Sequence, residues 1–222
     1  MNVLITSDIH ANYEALIALE DLFQKADQVI CLGDFVGYYC QVNEVLDFLR
    51  PFNPICILGN HDSSLLKGVS KETPDAVKFG IEYADKVIEK SHRDWLAGLP
   101  HLWGGELDTR TFLLAHGSPW SPMDDYLYPD SPELERLGAF NFNVVAFGQT
   151  HRPIQQTDRR PFLINPGSVG QSRNERGVAC ATMLDTNAMH ATAVSRPYDV
   201  TKVVELARAN GAKDWITKYL LR

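Results

Sequence analysis

Five short apolar runs in this chain each end in residues that can bind a metal ion. Every run has the length and the aliphatic or β-branched composition of a buried strand. With the polar residues that close them, the runs are 3–10 (VLITSDIH), 29–34 (VICLGD), 55–62 (ICILGNHD), 112–117 (FLLAHG) and 144–151 (VVAFGQTH). Parallel strands that share a sheet bring their carboxyl ends to one edge, where α/β proteins place their sites. We therefore expect the aspartate, asparagine and histidine side chains at these ends to converge.

Helices are predicted between the strands of the first half, because apolar residues recur there at helical spacing. Asn12 can cap the first helix, Pro51 and Pro54 end the second, and Pro74 begins the third. The predicted helices cover residues 12–24, 41–50, 74–90 and 92–98. Strands and helices that alternate in this way favour parallel pairing and an α/β fold.

The second half of the chain is dominated by short strands, which indicates a second sheet packed on the first. The last two strands resemble a hairpin that turns at residues 185–187. The predicted strands are 111–115, 144–148, 161–165, 178–184 and 189–195, followed by helices near 200–209 and 213–221. Residues 117–142 form the longest irregular stretch, which is typical of a lid beside a site. Because no linker is visible, we predict a single domain over residues 1–222.

Composition excludes several classes of protein. The chain has 222 residues, of which 45% are hydrophobic, and this is typical of a globular protein rather than a disordered one. No apolar stretch approaches the roughly 20 residues that span a bilayer, and no secretory signal is visible, so we expect no membrane association. The net charge of −7 argues against binding of duplex nucleic acid but leaves a small nucleotide open.

The cysteines favour a reducing compartment. None of the four cysteines belongs to a CxxC pair, and three lie inside predicted strands as small apolar residues. We therefore expect free thiols and a cytoplasmic protein. Cys40 differs because it lies in a predicted loop beside the proposed site, where a redox or ligand role is the alternative. The sequence indicates no oligomeric state.

The residue types at the strand ends suit a transition metal. Asp8 and His10 are two residues apart and can place an oxygen and a nitrogen on one ion. Asp34 follows a glycine that lets the backbone approach an ion closely. Asn60 offers an amide oxygen, and His116 and His151 offer imidazoles. This mixture of nitrogen and oxygen donors suits Mn, Fe, Zn or Co better than Ca or hydrated Mg.

In their order along the chain, the patterns D-x-H, G-D, G-N-H-D, H-G and G-x-T-H resemble the motifs of the calcineurin-like metallophosphoesterase superfamily, and especially its small bacterial phosphodiesterases. The later segment Asn165–Val169 (NPGSV) is similar to a turn in those small members. The resemblance implies a four-layer αββα sandwich of two mixed sheets flanked by helices. It also implies hydrolysis of phosphoesters, as a phosphodiesterase or phosphatase acting on a small or nucleotide-like substrate.

The same resemblance implies a dinuclear centre with two divalent ions, of which Mn²⁺ is the first expectation and Fe, Zn, Co or Ni are the alternatives. By this likeness Asp8, His10 and His151 would hold the first ion. Asp34 would bridge both ions, and Asn60 and His116 would hold the second. The catalytic residue His61 would lie outside the metals and face the leaving group or the phosphate. Two ions that share a hydroxide would activate it for in-line attack on phosphorus.

The chain departs from the superfamily pattern at two positions. The last motif usually reads G-H-x-H, whereas Gln149 stands here in place of the first histidine. A glutamine oxygen binds such ions less tightly than imidazole does, so we expect a weaker second site. Gly37 occupies the position of the usual acidic partner, which affects how His61 is oriented. These departures leave a second reading open, a scaffold or regulatory binding protein that keeps the fold with weakened catalysis.

Several single residues allow two interpretations. Arg152 and Arg173 are candidate phosphate-binding residues or solvated surface arginines. The segment 165–168 is a turn or a phosphate contact through its backbone amides. Trp120 and Tyr126 either pack the lid or stack on a base. His92, His101 and His190 lie outside every motif and are not expected to be ligands.

Overall fold

The computed structural model describes residues 1–221, apart from the side chains at 215 and 216. Its strands are β1 (Asn2–Thr6), β2 (Gln28–Cys31), β3 (Ile55–Cys56), β4 (Leu102–Leu107), β5 (Arg110–Ala115), β6 (Val144–Ala146), β7 (Ile154–Gln156), β8 (Phe162–Asn165), β9 (Val178–Asp185) and β10 (His190–Pro197). Its helices are α1 (Tyr13–Ile17), α2 (Glu20–Lys25), α3 (Val42–Leu49), α4 (Asn60–Lys67), α5 (Asp75–Val87), α6 (Lys90–Ala97), α7 (Leu134–Leu137), α8 (Val200–Ala209) and α9 (Asp214–Thr217).

The strands form two mixed sheets of five strands each. The first sheet has the order β10-β9-β1-β2-β3 and the second has the order β4-β5-β6-β8-β7. Strands β1, β2 and β3 pair in parallel, which confirms the pairing predicted from the alternation of strands and helices. In the second sheet β5, β6 and β8 are parallel, while β4 and β7 run antiparallel along its two edges.

The C-terminal hairpin of β9 and β10 belongs to the first sheet, and not to the second sheet with the other strands of the second half. Strand β9 pairs antiparallel with β1, so that Leu184 lies opposite Val3. Leu184 is thereby buried in the same cluster as Val3 and Ile5. The hairpin is placed by this apolar contact rather than by its position in the sequence.

The main core lies between the two sheets. Alternate residues of each strand face it, since side chains in a strand point to opposite faces in turn. Val3 and Ile5 of β1 meet Phe112 and Leu114 of β5 in this layer. The neighbouring residue Leu4 points the other way and packs under the helices.

The outer layers complete a four-layer αββα sandwich, although the two outer layers differ. Helices α1 to α6 cover the first sheet, where Leu16, Val45 and Leu96 are buried against it. The second sheet is covered by the irregular segment 117–142 with the short helix α7, through Leu127 and Leu137.

None of the helices in residues 1–221 is long and apolar enough to cross a membrane. A single domain over 1–222 stays a prediction.

Candidate metal centre

The strand ends bring all the predicted metal ligands to one place, but from two sheets rather than from one edge. Asp8 and His10 follow β1, and Asp34 follows β2. Asn60 and His61 begin α4, directly after β3. The two remaining histidines and Gln149 follow β5 and β6 of the second sheet. Because the sheets are packed face to face, the carboxyl ends of these five strands meet above the core.

The backbone at these positions is strained. Among residues 1–221, ten residues other than glycine have a positive φ, and five of them are proposed ligands: Asp8, His10, Asp34, Gln149 and His151. Their φ values lie between 54° and 66°, in the left-handed region that L-residues rarely occupy. Such strain is concentrated at functional sites, where the surrounding structure holds it in place.

The first candidate ion site is formed by Asp8, His10 and His151, whose potential ligand atoms lie within 4.8 Å of one another. The Nδ1 atom of His10 lies 3.0 Å from the carbonyl oxygen of Val36, and that of His151 lies 2.8 Å from the carbonyl oxygen of Gln171. Each imidazole therefore carries its proton on Nδ1 and keeps a lone pair on Nε2.

The two Nε2 atoms of His10 and His151 face each other at 3.0 Å. With both lone pairs turned inward, this contact is repulsive unless a cation lies beside them. The Oδ1 atom of Asp8 is 3.3 Å from Nε2 of His151, and it is buried without a hydrogen-bond partner in the described residues. The donor set and the unpartnered oxygen fit a divalent ion, because metal-bound histidines commonly direct the other ring nitrogen to a carbonyl.

The second candidate ion site is formed by Asp34, Asn60 and His116. Nε2 of His116 lies 3.3 Å from Oδ2 of Asp34 and 3.1 Å from Oδ1 of Asn60. Nδ1 of His116 lies 2.6 Å from the carbonyl oxygen of Leu32, so this imidazole has the same orientation as the first two. The carboxylates of Asp8 and Asp34 both lie within 4.8 Å of His116, which places Asp34 between the two candidate sites.

His61 lies beside the cluster and is not separated from it. Its backbone amide donates to Oδ1 of Asp34 at 2.8 Å, and its Nε2 lies 3.8 Å from Oδ2 of the same carboxylate. Its Nδ1 is buried and has no partner among the described residues. A Cβ atom on Gly37 would lie 2.1 Å from this nitrogen. Gly37 stands where the superfamily pattern has an acidic partner, and so Nδ1 of His61 faces a glycine.

Gln149 has one half of its side-chain amide engaged. Its Nε2 donates to the carbonyl oxygen of Met123 at 3.1 Å, and its backbone amide donates to Oδ2 of Asp8 at 3.1 Å. Its Oε1 is buried without a partner in residues 1–221 and lies against Gly117, the residue after His116. The oxygen is therefore the free ligand atom of this residue.

The electrostatics of the cluster favour neutral His10 and ionised Asp34, the forms that bind metals. Burial lowers the pKa of His10 well below its usual value, and the neighbouring His61 and His151 lower it further. Burial raises the pKa of Asp34, but His116 and His61 outweigh it and leave the pKa below its usual value. Burial lowers the pKa of His116, yet the Asp34 charge outweighs it and raises that pKa to about 10.

A pocket of about 230 Å³ opens directly onto these residues. Arg152 and Arg173, the candidate phosphate-binding residues, line it, and so does the catalytic candidate His61. Three tyrosines that the motifs do not indicate also line it: Tyr38, Tyr126 and Tyr128. The ring of Tyr38 lies 4.7 Å from that of His10 and 5.0 Å from that of His61, measured between centroids. The sequence signal for Tyr38 is its position four residues after Asp34.

A sequence model of the calcineurin-like phosphoesterase superfamily domain matches residues 1–189 of the chain. The chain belongs to the calcineurin-like phosphoesterase superfamily. The resemblance inferred from the motifs is thereby confirmed. Membership supports hydrolysis of phosphoesters in general, and the candidate ligand clusters agree with the metal dependence of this superfamily.

Individual relatives extend over the whole chain. The uncharacterized protein MJ0912 of Methanocaldococcus jannaschii is 30% identical over 241 residues, which cover 98% of this chain and 96% of that protein. The crystal structure of a metallophosphoesterase from Sphaerobacter thermophilus matches with a TM-score of 0.84 and 26% identity, covering 99% of this chain and 98% of the other. The hypothetical protein PH1004 from Pyrococcus horikoshii OT3 shares the fold, with a TM-score of 0.85, 18% identity and coverage of 99% and 97%.

In this phosphoesterase domain Asp62 holds two ligand-bearing loops together. Its carboxylate accepts hydrogen bonds from four backbone amides, those of Asp34, Phe35, Val36 and Gly59, at 2.8–3.1 Å. Burial and the charge of Asp34 raise the pKa of Asp62 to about 7, although the backbone donors act in the opposite direction. The carboxylate of Asp62 is therefore engaged with the backbone and positions Asp34.

The segment 165–168 is a structural turn that connects the two halves of the site. Asn165 donates through Nδ2 to the carbonyl oxygen of Gly148 at 2.8 Å, and Ser168 donates through Oγ to that of Asp8 at 2.7 Å. The backbone amides of Gly167, Val169 and Gly170 all donate to protein oxygens. These donors are therefore engaged, which favours the turn interpretation over a phosphate contact.

The remaining candidates lie outside the cluster. Nε2 of the buried His92 is 3.1 Å from Oδ1 of Asp47, away from the site, while His101 and His190 are exposed. Trp120 stacks on Phe140 and lies under the guanidinium of Arg136, as its interpretation as lid packing predicts. All four cysteines are free and buried.

Proposed function

We propose that the chain is a metal-dependent phosphoester hydrolase that holds two divalent ions at the strand ends. The observation that carries the proposal is the contact of His10 Nε2 with His151 Nε2 at 3.0 Å, beside an unpartnered oxygen of Asp8. This arrangement is unfavourable for the protein alone and becomes favourable around a cation. Mn²⁺ suits the donor set first, with Fe, Zn, Co or Ni as alternatives.

Each side chain has a proposed role. Asp8, His10 and His151 would hold the first ion, Asn60, His116 and Gln149 would hold the second, and Asp34 would contribute to both. A bound pair of ions would supply an acidified water as nucleophile and offset the charge that grows on the phosphoryl oxygens. Asp62 and the turn at 165–168 fix the ligands in place and so preserve the geometry of the site.

His61 and the arginines act on the substrate in this proposal. His61 lines the pocket next to Asp34, where it can donate a proton to the leaving oxygen. Arg152 and Arg173 line the same pocket and bind the phosphate through their guanidinium groups. The pocket therefore suits a small phosphoester, and the net charge of −7 argues against duplex nucleic acid as partner. Four free cysteines agree with the reducing cytoplasm as the place of action.

A weakened scaffold or binding protein is the second candidate, and Gln149 is the observation that favours it. Its amide nitrogen is committed to Met123, so only a neutral oxygen remains for the second ion. An ion held by fewer strong donors binds less tightly. A protein with a single occupied site would keep the fold but lose much of the charge stabilisation that two ions provide.

Hydrolysis of bis(p-nitrophenyl) phosphate and p-nitrophenyl phosphate separates these candidates. Protein stripped with a chelator should be inactive, and Mn²⁺ should restore hydrolysis of at least one ester. Asp34→Asn should stay inactive with Mn²⁺, whereas His190→Ala, a change at an exposed histidine outside the cluster, should behave as wild type. Failure of the five proposed metals to support either reaction, despite measurable metal binding, would favour the scaffold.

A further inference from the structure

We propose that the pocket beside the metal centre binds nucleoside phosphates, with the base stacked on Tyr126 and Tyr128. This inference rests on the proposed function and names the substrate class of the same site. The pocket presents an aromatic surface and uncompensated positive charge next to the candidate metal ligands. A flat base and a phosphate are the two parts of a nucleotide that such a pocket recognises.

The aromatic surface consists of two tyrosine rings that stack on each other and stay partly exposed. Tyr126 is 50% exposed and Tyr128 is 42% exposed, and they are two of the five exposed large hydrophobic side chains in the described part of the chain. Their planes are inclined by 17° and their centroids are 6.3 Å apart. Both residues line the pocket of the metal centre. An aromatic side chain that is partly exposed in a pocket is a surface on which a base can stack without sequence preference.

The segment that carries the rings is held in place by the protein. Leu127, between them, is buried in the cluster that covers the second sheet. The hydroxyl of Ser118 donates to the carboxylate of Asp125 at 2.6 Å, and Gln149 donates to the carbonyl oxygen of Met123. The rings are therefore presented from a fixed loop, which lowers the entropy lost when a ligand is bound.

Trp120 in the same loop shows the contrast with a purely structural aromatic residue. Its ring is covered on Phe140 with the planes inclined by 8°, and the guanidinium of Arg136 lies 4.1 Å from its centroid. Tyr126 and Tyr128 also stack on each other, but no cation of the described residues lies over either ring, and both side chains stay about half exposed and line the pocket. Packing of the loop thus accounts for Trp120 and does not account for the two tyrosines.

The positive charge comes from Arg152 and Arg173. Neither guanidinium forms an ion pair with a carboxylate in residues 1–221, although the chain as a whole carries a net charge of −7. The guanidinium of Arg173 lies 4.2 Å from the ring centroid of Tyr219, which holds it at the pocket. Two guanidinium groups without a carboxylate partner in the described residues, on an acidic protein, favour a small anion over a polynucleotide, which would need a longer basic surface.

Calorimetric titration of the Mn²⁺-loaded protein with adenosine 5′-monophosphate and with ribose 5-phosphate tests the proposal, because the two ligands differ only in the base. Free phosphate is measured in the same samples, so that turnover is not mistaken for binding. We expect the nucleotide to bind about 10-fold more tightly than the sugar phosphate. Tyr126→Ala and Tyr128→Ala should each remove most of this preference, whereas Tyr126→Phe should keep it.

Phe79→Ala is the matched control, because Phe79 also stacks on a tyrosine, Tyr83, but does not line this pocket. It should retain the full preference. Equal binding of the two ligands by wild-type protein, or an unchanged preference in both alanine variants, would overturn the proposal. If the preference is found but no ester is hydrolysed, the base site stands and the proposed function fails. If esters are hydrolysed but the nucleotide is not preferred over the sugar phosphate, the proposed function stands and the base site fails.

Discussion

At the scale of single residues, the candidate metal centre depends on where three histidines carry their protons. Nδ1 of His10, His116 and His151 lies at 2.6–3.0 Å from a backbone carbonyl oxygen in each case. The candidate ligands could be predicted from the motifs. The carbonyl groups of Leu32, Val36 and Gln171 could not, because every residue has a backbone carbonyl and its type does not show which one accepts a hydrogen bond. Tyr128 was missed for a similar reason, since no motif contains it.

Substitution of Asp34 and of His61 should separate metal binding from catalysis. We expect Asp34→Asn to remove nearly all metal and activity, because the carboxylate lies between both candidate sites. His61→Ala should retain both ions and lower kcat by about 10²- to 10⁴-fold. Metal content after reconstitution and initial rates measure the two effects. His61 also lies within ligand distance of His10 and Asp34, so metal loss in His61→Ala as complete as in Asp34→Asn would make it a ligand instead.

Gln149→His should raise the affinity for the second ion and increase hydrolysis at limiting Mn²⁺, because imidazole is the stronger donor. The gain should shrink as Mn²⁺ approaches saturation. Rates are measured against free Mn²⁺ for both proteins. Coincident curves, or a slower histidine variant throughout, would show that Gln149 acts through its bond to Met123 and not through a metal.

Cys40 should be inert in the folded protein. Burial raises the pKa of its thiol to about 12, and the charge of Glu44 adds to this. Because a raised pKa disfavours the thiolate, the reactive form of Cys40 is scarce at pH 8. Labelling with iodoacetamide, followed by peptide mass spectrometry, should be slow in native protein and fast in urea. Rapid native labelling of Cys40 at pH 8 would restore the redox alternative.

At the scale of elements, long periodic segments were predictable and short ones were not. The helix over 74–90 is confirmed as α5, whereas the helix over 12–24 is divided into α1 and α2, because Leu19 leaves helical geometry at φ −104° and ψ 3°. Strand β4 contains Gly104 and Gly105, which weaken its sequence signal. The predicted helix 213–221 is helical over Asp214–Thr217 only.

Helix α4 was not predicted from the sequence. Its first turn contains Asp62, whose hydrogen bonds lead to a prediction about stability. Asp62 is its third residue and accepts hydrogen bonds from Gly59 and from the loop after β2. Asp62→Ala leaves four buried amides without this acceptor, so the free energy of unfolding should fall by about 3 kcal/mol or more. Urea denaturation measures the change. Glu72→Ala, an exposed change, should stay within about 0.5 kcal/mol. If Asp62→Ala changed the free energy of unfolding by no more than about 0.5 kcal/mol, Asp62 would not hold the two loops together.

At the scale of the whole molecule, the motifs predicted the αββα fold through resemblance, while apolar periodicity predicted only alternating strands and helices. Apolar periodicity did not predict which sheet each strand belongs to. Strands β5 and β6 bring His116 and His151 from the second sheet, and the hairpin β9–β10 joins the first. The sheet that a strand joins depends on which apolar faces pack together, and the pairing of Leu184 with Val3 is an example. The spacing of residues within one segment does not contain that information.

Calorimetric titration of Mn²⁺ into chelator-treated protein tests the central claim most directly. Two facing imidazoles with a buried carboxylate form a strong first site, and Gln149 leaves the second with a neutral oxygen where imidazole would bind more tightly. We therefore predict two ions per chain, the first bound more tightly than the second. Absence of binding, or two sites of equal affinity, would contradict this account of the metal centre.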